Sequence, residues 1–507
     1  MHRHEPIDVE RVRRHLAERI APAATTVVLP LEVEVWEPVA ASGVVGQAEP
    51  VPVAEALAAT YQPFDLGASW GPPWGTTWFH LTGTVPEAER TGDLEAVVEL
   101  GWSDGWPGFQ CEGTVYRRDG SIVKGIHPRN TWIPVELDGD GRFEVYLEAA
   151  SNPVLNSFSA TERGDVLTSD AERQYKLWRA DVVRVHHEVR ELVADVTALE
   201  GLAEVLPADS HRRAELRVAL DRAMDALDLQ DVPGTAVAAR ERLREVLARP
   251  AEGSAHRAVA TGHAHIDSAW LWPVRETRRK VARTIANVLR LVDDGEPVVF
   301  AFPAAQHSAW LEEDHPDLFA RLQAAVASGH VVPVGGMWVE SDANLPGGEA
   351  MVRQLVEGAA YFERAYGHRC EEVWLPDSFG YSAGLPQLAR LAGARWFLTQ
   401  KISWNQVDDF PHHSFHWEGI DGTRIFTHFP PVDTYNSDLS ARELHHAATN
   451  FRDKGVAGTS LVPFGYGDGG GGPTREMLAQ ARRTADLEGS PRVTVAPPRD
   501  YFEAAEA

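Results

Sequence analysis

Between about Thr25 and Ala150 apolar and polar residues alternate in short stretches, as in Leu31–Trp36 (LEVEVW) and Arg142–Leu147 (RFEVYL). Alternation puts successive side chains on opposite faces of a strand. Turn pairs such as Asp119-Gly120 and Asp140-Gly141 separate the stretches, and the pattern predicts an N-terminal β-sandwich over residues 1–165. From about Asp170 to Arg249 the pattern lengthens into runs such as His211–Leu227, with apolar residues at helical spacing and neither Gly nor Pro. That predicts a helical connector over 166–252, closed by the breakers in Arg249–Ser254.

Beyond His256 short apolar runs alternate with amphipathic stretches, the pattern of a parallel α/β domain, here 253–507. The predicted strands are Ala258–Gly262, Val298–Phe302, Val331–Val334, Glu372–Leu375, Trp396–Thr399, Ser460–Phe464 and Val493–Ala496. Helices fill the gaps, with Val281, Ile285, Val288, Leu289 and Val292 on one face of the first. Val352, Leu355, Val356, Ala359 and Phe362 are expected on one face of a later one. The expected fold is therefore multidomain: a β-sandwich, a helical connector and an α/β seven-stranded barrel-like domain. The chemistry of such a domain sits at the carboxyl ends of its strands.

Composition narrows the classes. With 507 residues and 44% hydrophobic residues the chain is too long for one core and too apolar to be disordered. A net charge of −26 repels phosphate backbones and anionic lipid, so neither nucleic acid nor membrane is the expected partner. The two cysteines, Cys111 and Cys370, form no CxxC pair, which leaves a disulfide framework and a thiolate zinc site without support. The amino terminus MHRHEPIDVERVRRHLAERI is charged where an export signal is apolar, and no stretch reaches ~18 consecutive apolar residues. The expectation is a soluble, cytoplasmic protein. Seven of the 16 tryptophans fall in the sandwich region, where such rings either pack the core or stack on sugar faces; packing is the plainer reading.

Three predicted strand ends carry candidate chemistry. In Gly262–Trp270 (GHAHIDSAW), His265 and Asp267 are two apart and share a face if the chain is extended, as metal ligands do. His263 lies one step deeper. Asp377 follows the apolar strand end Val373–Pro376, where it either pairs with a cation or caps a local turn. Asp468 is the one carboxyl group of the glycine-rich loop 465–472, which lacks the Gly-Lys-Ser/Thr of a phosphate-binding loop. One metal cluster and a separate carboxylate suit glycoside hydrolysis, which needs a nucleophile or base and a proton donor.

Six blocks are similar to the family 38 glycoside hydrolases, the retaining α-mannosidases, in their cytosolic and vacuolar branch. They are Gly262–Pro273 (GHAHIDSAWLWP), Pro333–Glu349 (PVGGMWVESDANLPGGE), Val373–Leu388, Lys401–Gln406 (KISWNQ), Phe410–Ser437 and Pro463–Thr474 (PFGYGDGGGGPT). The resemblance implies a divalent metal, zinc or in some relatives cobalt, held by His265, Asp267 and Asp377. It implies Asp377 as nucleophile, Asp468 as general acid/base, and Trp270 and Phe379 as substrate-binding aromatics. Glu340, Asp342, Lys401 and Tyr435 are further candidates for contact with ligands or substrate. The implied activity is removal of terminal α-mannosyl residues from oligosaccharides or glycosides, with homo-oligomers compatible. Retention of configuration would place the two catalytic carboxyl groups ~5–5.5 Å apart.

The resemblance also implies a fourth ligand, a histidine in a Glu-Leu-His-Arg-Gly-Thr-like motif that these 507 residues lack. The expectation is a chain equivalent to the N-terminal half of a longer protein. His412, His413, His416 and His428 are expected to be structural rather than substitutes for that ligand. Two alternatives stay open: a metal-dependent polysaccharide deacetylase, which shares the His/Asp chemistry, and an inactive mannose-binding fragment.

Overall fold

The computed structural model describes residues 9–39, 50–103, 105–155, 162–165 and 168–507; the first eight residues of the charged amino terminus lie outside them. Two antiparallel sheets form the sandwich. One runs Gln62–Pro63, Glu32–Trp36, Gly75–Thr84, Arg142–Ser151, Glu112–Tyr116 and Ile122–Ile126 in spatial order; the other runs Thr25–Pro30, Arg179–Val185, Leu94–Glu99 and Trp132–Pro134. Trp70, Phe79, Leu81, Val98, Val115, Phe143 and Leu147 fill the space between them. The sandwich does not stop at residue 165 as expected. Arg179–Val185 pairs on both edges, with Thr25–Pro30 and Leu94–Glu99, so the chain returns to the sheet before the helices begin. Trp70, Trp74 and Trp78 are buried, as packing requires.

Helices His187–Val205, His211–Asp225 and Val232–Leu247 form the connector, the second and third capped by Ser210 and Asp231 side chains that accept N–H groups of the first turn. Their apolar faces enclose Leu192, Val196, Leu216, Leu220 and Leu243 together with Leu487 of the α/β region.

All seven strands predicted for the α/β region form, to within two residues at each end. They do not close into one barrel. Among the described residues they make two sheets: a parallel one in the order Val331–Pro333, Phe300–Phe302, Arg257–Gly262 and Thr459–Phe464, with Arg492–Val495 also on Arg257–Gly262, and a second one in the order Glu372–Leu375, Trp396–Thr399, Arg424–His428 and Ser414–Glu418. The last two strands are a hairpin that the strand prediction omitted.

Side chains occupy the seams where further ladders would run. At one seam Trp374 sits against Gly335, whose Cβ, were there one, would lie 3.2 Å from the Trp374 Cβ. At the other the Leu461 N–H donates to His428 Nε2 at 3.3 Å, a bond a neighbouring strand would otherwise take. Both sheets still share one core, Ala301, Trp374, Trp396, Leu398, Phe426 and Leu461, closed by Tyr501 and Phe502 of the last helix, Pro498–Glu506.

Two helices depart from the periodicity reading. In Gly348–Tyr366 Leu355 and Phe362 are buried, but Val352 and Val356 are exposed. Gly358 lies so close to the Met337 backbone that a Cβ would come within 2.3 Å, which turns the buried face toward Met351 and Gly358. In Val274–Asp293 Val281, Ile285, Val288 and Leu289 of the expected face are buried and Val292 is half-buried, and a polar stripe of Lys280, Arg283, Thr284 and Asn287 is buried too, because this helix lies between the sandwich and the α/β sheets. No described helix is long and apolar enough to cross a membrane.

Phe502 stacks on Trp396 with ring centroids 5.2 Å apart. Phe502→Ala is expected to cost about 3–5 kcal/mol, measured as a lower urea midpoint at unchanged slope.

Candidate active site and metal centre

Three parallel strands deliver the site from their carboxyl ends: Arg257–Gly262 leads to His265 and Asp267, Glu372–Leu375 to Asp377, and Thr459–Phe464 to Asp468. The loops meet closely. Asp468 N–H donates to the His265 carbonyl at 2.8 Å, and Gly465, at φ +134°, passes so near the His263 carbonyl that a Cβ would lie 2.2 Å from its oxygen. Only glycine fits there.

His265 is the hub. Its Nδ1 lies 2.9 Å from Glu340 Oε2, and its Nε2 lies 3.4 Å from Asp267 Oδ1 and 3.3 Å from Asp377 Oδ2. With Nδ1–H donated to Glu340, the Nε2 lone pair faces two carboxylates, and this buried nitrogen has no hydrogen-bond partner. A proton or a metal cation between the three groups satisfies them. Burial opposes protonation of His265, yet Glu340, Asp267 and Asp377 outweigh it and hold the imidazole well above its usual range. One ligand atom from each of His265, Asp267 and Asp377 lies within 4.8 Å of the others. This nitrogen-and-carboxylate set suits a divalent ion with bonds of about 2.0–2.2 Å. Glu340 is then the outer carboxylate that fixes the imidazole.

Asp377 is further paired with Lys401 Nζ at 2.7 Å. Burial would raise its pKa, but His265 and Lys401 overcome burial and keep it below the ordinary aspartate value. Lys401 Nζ lies over Trp404 at 3.3 Å and over Phe379 and Tyr435 at 5.0 Å each, so the nucleophile candidate's counter-ion is caged by aromatic faces. Asp468 behaves oppositely. Burial, reinforced by Asp267 and Asp377 against the opposing effect of His265, pushes it up to about 6. Its backbone is held at φ +64°, a conformation costly for a residue other than glycine and one that clusters at functional sites.

Trp270 is half exposed and packs edge-on to Phe109 of the sandwich at 5.5 Å; Phe379 is 68% exposed and meets Trp404 at 5.8 Å. Both stand as open aromatic surfaces. His263 lies beneath, between the Tyr435 carbonyl at 3.2 Å and the Trp374 indole N–H at 3.2 Å, and burial lowers it to about 3. Asp342 is spent on a turn, accepting the Asn344 and Leu345 N–H groups. The four downstream histidines stay out of the centre: His412 pairs with Asp453, His413 accepts the Arg452 N–H, His416 packs on Phe426, and His428 serves the seam.

Sequence reasoning missed the contribution of the sandwich. Trp106 Nε1 donates to Asp468 Oδ2 at 3.4 Å, and Lys280 and Glu112 lie under the Asp468 loop. The polar stripe of Lys280, Arg283, Thr284 and Asn287, at i, i+3, i+4 and i+7 of the helix Val274–Asp293, was the available signal.

His265→Ala is expected to abolish zinc or cobalt binding, and Glu340→Gln to weaken it about 10–100-fold. Asp342→Asn should leave it unchanged. Equilibrium dialysis with metal analysis reads all three.

Comparison with known proteins agrees with this geometry. Residues 255–507 match the glycosyl hydrolases family 38 N-terminal domain and residues 29–183 the α-mannosidase jelly roll domain. Alpha-mannosidase 2C1 of Homo sapiens is 40% identical over 466 residues, covering 90% of this chain and 43% of the relative. Alpha-mannosidase G of Dictyostelium discoideum is 30% identical over all of this chain and 46% of its own length. The alpha-mannosidase of Saccharomyces cerevisiae is 34% identical over 83% of this chain and 39% of its own. The chain thus spans less than half the length of these relatives, and within that span it belongs to glycosyl hydrolase family 38.

Proposed function

We propose that this chain carries the catalytic centre of a metal-dependent, retaining exo-α-mannosidase of the cytoplasm, acting on terminal mannosyl residues of oligosaccharides or glycosides. The observation that carries the reading is the unlike placement of two aspartates: Asp377 beside His265 and Lys401, which keep it below the ordinary aspartate value, and Asp468 beneath the Trp106 indole, where desolvation pushes it up to about 6. Two carboxyl groups pushed apart by their surroundings supply a nucleophile and an acid. The α-mannosidase names of the relatives support mannose as the sugar.

Asp377 attacks the anomeric carbon while Asp468 gives its proton to the departing glycosidic oxygen; Asp468 then takes a proton from the water that releases the sugar. Lys401 keeps Asp377 from being protonated in the resting site. Trp270 and Phe379 offer apolar faces to the ring. A divalent ion, zinc or cobalt, held by His265, Asp267 and Asp377 would supply positive charge that orients sugar hydroxyls. The free thiols of Cys111 and Cys370 fit a reducing compartment.

Incubation with an aryl α-mannoside plus zinc or cobalt should give turnover with net retention. Asp377→Ala is expected to reduce it to background, and Asp468→Asn to lower kcat about 10²–10⁴-fold on a poor leaving group. A fluorinated mannosyl fluoride should label Asp377. Turnover untouched by Asp377→Ala, or acetate release from an acetylated sugar polymer without glycoside cleavage, overturns the reading.

A further inference from the structure

The loop carrying Asp468 is not held by its own domain alone. Lys280 Nζ, on the helix Val274–Asp293, donates to the Asp468 carbonyl at 3.1 Å, to the Gly108 carbonyl at 2.9 Å and to Glu112 Oε1 at 2.5 Å. The other oxygen of Glu112, in sandwich strand Glu112–Tyr116, accepts the Gly470 N–H at 2.7 Å and Arg283 Nη1 at 3.2 Å. Thr284 donates to the Gly469 carbonyl at 3.1 Å, and Asn287 joins the Gly470 carbonyl to the Gly125 N–H of the sandwich, each at 3.0 Å. The side chains of Glu112, Lys280 and Arg283 have no exposed surface.

Backbones touch as well. A Cβ on Gly108 would lie 2.4 Å from the Asp468 carbonyl oxygen, and one on Gly469 would lie 2.6 Å from the Gly108 nitrogen. The sandwich loop that contains Gly108 ends in the Trp106 indole, whose N–H reaches Asp468 Oδ2 at 3.4 Å and whose ring meets Tyr466 edge-on at 5.6 Å.

We propose that the N-terminal β-sandwich is part of the catalytic centre, with Trp106 and Glu112, acting with Lys280, as positioning residues that fix the Asp468 carboxyl group against the leaving oxygen. The proposal rests on the reading of Asp468 as general acid/base given above. Burial would by itself favour a neutral Glu112, and Lys280 and Arg283 overcome it, so the clamp is an ion pair locked under the loop. A hydrogen bond to such a charged group is stronger than a neutral one, and leaving its partner unpaired in a buried place is costly. That is the property a loop held at φ +64° needs in order to keep its shape.

The first test needs no turnover. In the 507-residue chain, hydrogen exchange of the amides of residues 465–472 should become about tenfold or more faster in Glu112→Gln, while the ladder between Gly75–Thr84 and Arg142–Ser151 keeps its wild-type rate. Unchanged exchange of the loop overturns the clamp. Trp106→Phe keeps an aromatic ring against Tyr466 while removing the indole N–H, so it covers the case in which Glu112→Gln fails to fold. For Trp106→Phe, kcat should fall about tenfold on methyl α-mannoside, whose leaving group must be protonated, with KM unchanged, and little on dinitrophenyl α-mannoside. Equal losses on both substrates overturn the positioning role. Asp468→Asn is the control for the underlying reading: if it too lacks leaving-group dependence, the acid/base assignment fails, and the exchange result still decides the clamp.

Discussion

Carboxylates repel one another, and this chain gathers four of them, Asp267, Glu340, Asp377 and Asp468, around the ends of parallel strands. Among the described residues His265 and Lys401 pair with the side chains of these acids as groups that can carry positive charge. Everything at the site follows from how that repulsion is distributed. Glu340 sits behind the imidazole, Asp267 and Asp377 in front of it, and Asp468 on the neighbouring loop beneath the Trp106 indole. Identical side chains are then pushed in opposite directions, Asp377 below the ordinary aspartate value and Asp468 up to about 6. A divalent ion fits because the cluster is short of positive charge and because the one buried nitrogen facing the acids is otherwise unpartnered.

The scaffold accepts this charge by separating what is rigid from what is chemical. The α/β strands are only three to six residues long, and the reactive side chains lie two to five residues beyond their ends. The sheets do not close; Trp374 and His428 fill the seams instead. Those two side chains do more than plug gaps, since Trp374 also donates to His263 beneath the strand end that leads to His265. The seam on one side and the floor of the site are therefore one hydrogen-bonded unit.

What the sequence disclosed follows from which interactions are local. Alternation and apolar runs gave every parallel strand, because burial on both faces leaves a period that a single segment carries. His265, Asp267 and Asp377 stood out because polar groups directly after apolar strand ends need a reason to be there. The hairpin Ser414–Glu418 and Arg424–His428 escaped because its outer strand is polar and half exposed, with little contrast between its faces. The division of the strands between two sheets escaped because counting βα units says nothing about whether neighbouring strands at a seam actually bond. The rotated face of Gly348–Tyr366 depends on the close approach of Gly358 to another segment, which no periodicity records. The sandwich boundary failed for the same reason: Arg179–Val185 belongs to a sheet whose partners are about 80 to 150 residues away in sequence.

The buried pair of Glu112 and Lys280 explains why the two halves of the chain form a single catalytic object rather than an enzyme with an attached module. Taking two charges out of water is expensive, and the cost is met only when both partners and their backbone contacts are present. Each partner belongs to a different domain, and each is fully enclosed. A sandwich that drew away would leave Lys280 facing the Asp468 carbonyl without its counter-ion, and Glu112 without the amide of Gly470. The electrostatic penalty for parting is thus concentrated directly under the Asp468 loop. Physical coupling of this kind ties the integrity of the domain interface to the geometry of one carboxyl group, and it uses a polar stripe on a helix that an apolar seal could not replace: dispersion has no direction, whereas an ammonium bonded to three oxygens fixes the loop in place.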